Sequence, residues 1–305
     1  MSKTDKNKGN SSFSVVSANA ESAEGYDKDF MGEHFEGLGN VWHALFDDDD
    51  SIVQYLPTII TQGKLHDDCQ RVYQDGTFVA LLHYPSDQVD ICAGVLIDKA
   101  PDSNNMVFKS CFPIMKGIPN SLYIKKSHTW ENGIEGVVAA ERVGDGPPVS
   151  FFAPFYFRDF DSFVPNVEKT VHLAALAFSC EKAELKEFTV DKGGFFEMQL
   201  QEFVDNNPGK TAKEFSAPVV SMRGSRILLQ SKYTCEWEYR CPVLNVERAS
   251  FFEKLIYKLH VVFVGIEDEE LAGYLYVPAH MLNGYIPQIG DDIQGVLWMT
   301  GVLDK

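Results

Sequence analysis

From residue 271 to 303 the chain alternates apolar and small residues, and its last third is apolar on both sides. Ile293, Val296, Leu297, Trp298, Met299 and Val302 follow a polar turn at Pro287 to Asp292. A run without a polar face predicts a strand covered from both sides, and Gly295 and Gly301 within it predict close approach of a neighbouring backbone. Two strands are expected here, over 271–278 and 292–303.

Upstream, Ile227, Leu229, Tyr233, Cys235, Trp237, Tyr239 and Cys241 occupy alternate positions, with Arg226, Gln230, Lys232, Thr234, Glu236, Glu238 and Arg240 between them. Period two predicts half-buried antiparallel strand. An unbroken strand of that length would span about 50 Å, so a bend or a turn near Ser231 is expected. In the next segment Leu255, Tyr257, Leu259, Val261 and Phe263 read as inward, with Lys254, Lys258 and His260 outward. With strands near 217–230, 232–243 and 252–264, residues 209–305 hold about five, the size of a small OB-like barrel.

Residues 77–163 read as six strands separated by DG, PSD, PDSNN, ENG and GDGPP turns, the last running through the aromatic stretch PVSFFAPFYFRDF. Before them, Val41, Ala44 and Leu45, then Ile52, Tyr55 and Leu56, fall at helical spacing and predict two short helices joined at Asp47 to Asp50. Those carboxylates suit a cap and the positive end of the second helix better than a metal loop, because a bare run does not place ligands around an ion. Residues 170–180 fit either strand or helix, and 186–190 looks extended. Residues 194–207 predict an amphipathic helix with Phe195, Met198 and Phe203 on one side, stopped by Pro208-Gly209. Residues 1–28 are too polar to offset the entropy of ordering and read as a flexible tail. The organisation expected is therefore a tail (1–28), a strand-rich α+β domain with short helices (29–208) and a small β-barrel-like domain (209–305). The fold class is α+β, predominantly antiparallel β.

A chain of 305 residues with 45% hydrophobic content can form a large core. Its formal charge of -17 repels polyanions, which disfavours nucleic acid and anionic membranes as partners. No stretch approaches the ~20 apolar residues of a membrane span, and the first residues hold no apolar region of a secretory signal. Six cysteines without CxxC spacing read as reduced thiols in a cytoplasmic protein.

Candidate chemistry is sparse, and no cofactor motif or metal cluster is expected. Pro208-Gly209-Lys210-Thr211 lacks the first glycine of a phosphate loop and reads as a helix stop. His66-Asp67-Asp68-Cys69 reads as a polar loop, because adjacent residues rarely converge on one ion. Asp159 and Asp161 at the end of the aromatic strand, with Glu184 and Lys186 from an ExK pattern, form the one catalytic alternative, a metal-dependent hydrolase. Between 209 and 260 nine basic residues meet five acidic ones, a local +4 in an acidic chain. Lys232, Arg240, Lys254, Lys258 and His260 are thus candidate binding residues, either for nucleic acid or for the acidic remainder of the same chain. With catalytic constellations absent and strand edges and aromatic residues plentiful, the function expected is binding to another protein.

Overall fold

The computed structural model describes residues 36–46, 50–143, 148–184, 186–265 and 270–304. The expected tail at 1–28, Asp47 to Asp49 and Gly144 to Pro147 lie outside the described residues. The described residues begin with two helices, α1 (Gly39–Leu45) and α2 (Asp50–Gln62), followed by β1 (Lys64–Val72), β2 (Phe78–Tyr84), β3 (Ile91–Lys99) and β4 (Val107–Met115). These four strands form an antiparallel meander in the order β1-β2-β3-β4. Residues 66–69, expected as a polar loop, are strand instead. They lie in β1, across an irregularity in its pairing with β2 between Leu65 and Gln70.

A second, ten-stranded sheet takes β5 (Ile118–Thr129), β6 (Gly136–Arg142), β7 (Pro148–Phe152), β8 (Glu168–Ala177) and β9 (Glu181–Lys182) from before residue 209. From after it come β12 (Ile227–Gln230), β13 (Glu236–Phe251), β14 (Lys254–Val264), β15 (Leu271–Pro278) and β16 (Asp292–Leu303). The sheet has no break at 209. β8 pairs in parallel with β15 and antiparallel with β16, and the path β13-β14-β15-β8-β16 returns to β13. A second path, β8-β5-β6-β7-β16, returns to β8. The C-terminal strands therefore pair with an earlier strand in their midst, and not among themselves alone. The fold is mostly antiparallel and mixed β-sheet with few short helices, consistent with an α+β class.

Strand bounds for β15 and β16 agree with the sequence pattern, and the break near Ser231 separates β12 from β13. Two expectations are revised. The segment near 217–230 is two short strands, β11 (Val219–Ser221) and β12, and β11 leaves the large sheet to pair with β10 (Glu187–Thr189). The aromatic strand stops at Phe152, since Pro154 has no amide hydrogen to continue the ladder, and Tyr156–Asp159 forms a single helical turn, α3.

Period-two alternation divides the large sheet between two cores. Val137 and Ala139, Phe152, Ala174 and Leu176, and Trp298 face a core shared with α1, α2 and the four-stranded sheet. Val138 and Ala140, Phe151, Leu173 and Ala175, and Leu297 and Met299 face a second core on the other side. A strand between two cores must be apolar on both faces, which is why β16 carries no polar side.

Candidate functional site

The residues singled out from sequence fall into several neighbourhoods. Asp159 is held by the neighbouring Arg158 guanidinium, and Asp161 accepts from Arg71 Nη2 at 2.9 Å, both next to β1. Glu184 pairs with Lys186 at 3.0 Å on an exposed stretch after β9, and its carbonyl accepts from Arg240 Nη2 at 2.9 Å. Asp159, Asp161 and Glu184 thus belong to separate ion pairs. Among the described residues no group of three or more His, Cys, Asp and Glu is placed to hold a metal ion.

The basic candidates do not form one exposed face. Arg240 is buried and donates to Gln294 as well as to the Glu184 carbonyl. Lys258, expected outward, is buried and donates to Asp90 at 2.8 Å and Glu247 at 2.9 Å. Burial alone would lower the Lys258 pKa, but these carboxylates outweigh it and hold the ammonium above its usual value. Lys258 and His260 share the Tyr274 ring, Lys232 lies over Tyr233 and Lys254 over Phe46. In Lys258 the local excess of cations meets acidic groups of the same chain.

In β1, Cys69 Sγ lies 3.1 Å from His66 Nδ1, but Cys69 is 0% exposed, so its thiol has no access to a substrate.

A more coherent arrangement lies between α1, α2, β4 and the turn joining β5 to β6. There a cavity of about 560 Å³ is lined by Glu36, Trp42, Ile52, Leu56, Phe108 and Glu135, among others. The turn is built by Asn132-Gly133: Asn132 Oδ1 accepts from the amides of Ile134 and Glu135, and Gly133 has φ of 72°. The same asparagine donates Nδ2 to Glu135 Oε2, while Ser110 Oγ of β4 donates to Oε1 at 2.7 Å. Burial pushes the Glu135 carboxyl up to about 7; the nearby Glu36 adds to this, against the two hydrogen bonds. Glu36 is buried as well, accepting from the Glu131 amide at 2.7 Å and lying 3.7 Å from His128 Nε2. The Cys111 thiol in the same wall is pushed well above its usual value by burial and by Glu135. A carboxyl titrating near neutrality beside a second one can exchange a proton or meet a cation. Sequence reasoning passed over these residues because they come from distant segments. The available signal was Glu135 itself, the lone charge between Ile134 and the apolar run Val137 to Ala140.

A third feature is α4 (Gly194–Asn206), which follows β10 and has no buried residue. Phe196 and Phe203 pack on Phe215, so its inner face differs from the expected set of Phe195, Met198 and Phe203. Phe195 and Met198, one turn apart, are 48% and 57% exposed. After the helix, Gly209 takes φ of 97° and Lys210 lies over Phe203, which is a helix stop.

No helix among the described residues is long and apolar enough to cross a membrane. The chain matches no protein-family model, no curated protein and no solved structure.

Proposed function

We propose that this is a binding protein whose partner is another protein, and that the partner docks on the outer stripe of α4. The observation that carries the reading is a thirteen-residue helix with no buried residue, presenting Phe195 and Met198 to solvent. Beyond the contact of Phe196 and Phe203 with Phe215 the helix covers little, and paired exposed apolar side chains mark contact surfaces. The helix bears Glu197, Glu202 and Asp205 and no lysine or arginine, so the complementary surface is apolar with a basic rim. The circuit β13-β14-β15-β8-β16 supports a barrel-like body carrying this lobe, and six free cysteines fit a reducing, cytoplasmic setting.

The test uses the full chain as bait in an extract of its own cells, beside a Phe195→Ser/Met198→Ser variant. Both side chains are exposed, so the variant should fold. A protein retained stoichiometrically by the wild type, released by raised salt and reduced at least about tenfold by the variant is the expected result. Equal retention by both baits, or retention by neither, overturns the proposal.

A further inference from the structure

The cavity beside Glu135 is independent of α4 and carries its own inference. We propose that it binds a small amine: a ligand joining an ammonium group, an apolar body and one hydrogen-bond acceptor. Its volume of about 560 Å³ lies within the range of small-molecule sites.

Charge favours a cation. Glu135 is 2% exposed and Glu36 7%, and both line the wall. The hydrogen bonds to the Glu135 side chain come from neutral donors, Ser110 Oγ and Asn132 Nδ2, which leave acceptor capacity on both oxygens. Lys109, the cation among the lining residues, is engaged by Asp98 at 2.7 Å. An ionised Glu135 carboxylate is costly at that burial, and a bound ammonium offsets the cost. An anionic ligand would meet both carboxylates and is excluded.

The remaining wall specifies the body. Ile52, Leu56 and Phe108 supply apolar contact, and the indole rings of Trp42 and Trp130 also line the cavity. Trp130 is 7% exposed, and its Nε1 is a buried donor with no hydrogen-bond partner among the described residues. Such a donor is costly unless an acceptor meets it, so the ligand carries one. By contrast, Trp42 Nε1 already donates to the Cys111 carbonyl.

Titration calorimetry of the full chain with 2-phenoxyethylamine tests this, with 2-phenoxyethanol and phenoxyacetate as matched neutral and anionic probes. The amine should bind at one site, and the alcohol and the acid at least about tenfold more weakly. Glu135→Gln should weaken the amine at least about tenfold, and Trp130→Phe about threefold or more. Below about pH 7 the amine must displace the Glu135 proton, so affinity should fall about fivefold between pH 7 and 6. The other titrating groups around Glu135 are Glu36, Glu131, His128, Lys109 and Cys111, and the pH series on Glu135→Gln separates their effect. Absence of saturable binding at millimolar amine, equal affinity for all three probes, or unchanged binding by a folded Glu135→Gln would each overturn the proposal. If that variant does not fold, the probe comparison and the pH series on the wild type decide. The α4 double variant should bind the amine normally, which keeps this result separate from the docking reading.

Discussion

Glu135 illustrates how much depends on surroundings at the scale of one residue. In sequence it is one of 44 acidic groups; in the fold, burial raises its carboxyl from 4.5 to about 7. The unfolded chain keeps the ordinary value, so between those limits the folded protein holds a proton that the unfolded one has released. Stability contributed this way is complete below about pH 4.5 and is lost as pH rises through about 7, on the order of 3 kcal/mol. Urea unfolding of the wild type should therefore show a falling midpoint between pH 5 and 7.5. Glu135→Gln should flatten that fall and match or exceed the wild type at pH 7.5. A pH profile identical in the two proteins would mean that Glu135 titrates normally.

Among elements, β16 was the most legible and β13 the least. Gly295 and Gly301 sit where close packing requires them: a Cβ on Gly295 would lie 2.1 Å from the Ser179 carbonyl oxygen, and one on Gly301 2.5 Å from the Phe151 ring. Around Gly295 the amides of Phe178 and Ser179 both donate to the Val296 carbonyl, which fixes the approaching backbone. Gly295→Ala should lower stability by about 1–3 kcal/mol in thermal or urea unfolding, and an unchanged midpoint would show that this backbone yields freely. The end of β13 was misplaced because its turn uses unusual residues. Phe252 and Glu253 both adopt left-handed backbone, with φ of 46° and 65°, in a two-residue hairpin that ordinarily takes Asn-Gly. Phe252 is held there by Tyr55 of α2, 4.1 Å away between ring centroids, a contact no local pattern announces. In α4 the helix was legible but its packed face was not, since Phe215 lies outside the helix and selects Phe196 and Phe203.

Over the whole molecule, the four-stranded meander and the ten-stranded sheet are joined by an apolar core and by a polar clip at Asp90. Lys258 of β14 donates to Asp90, and Tyr276 of β15 donates to the Asp90 and Lys116 carbonyls at 2.8 and 3.0 Å. Asp90 and Lys116 flank β3 and β4, so the clip ties the meander to the large sheet. The Lys258 side chain is 5% exposed, whereas Asp90 and Glu247 are 34% and 47% exposed and remain partly hydrated. Lys258→Met should thus cost about 1–3 kcal/mol, below the loss for a fully buried pair, measured by urea unfolding at neutral pH. Full retention of stability would mean that the clip is incidental.

The sequence by itself determined a mostly β protein: the period of its apolar residues, its turn residues and its helix stops are local properties that fix element type before any packing. It also marked β16 as covered on both sides, because a strand between two cores has no face left for polar residues. Tertiary structure alone decided that β8 enters the circuit of C-terminal strands, that Arg240 and Lys258 are buried, and that Glu36 meets Glu135. Each of these depends on residues dozens of positions apart, and the free energy of such a meeting comes from desolvation and pairing that no short window of sequence contains.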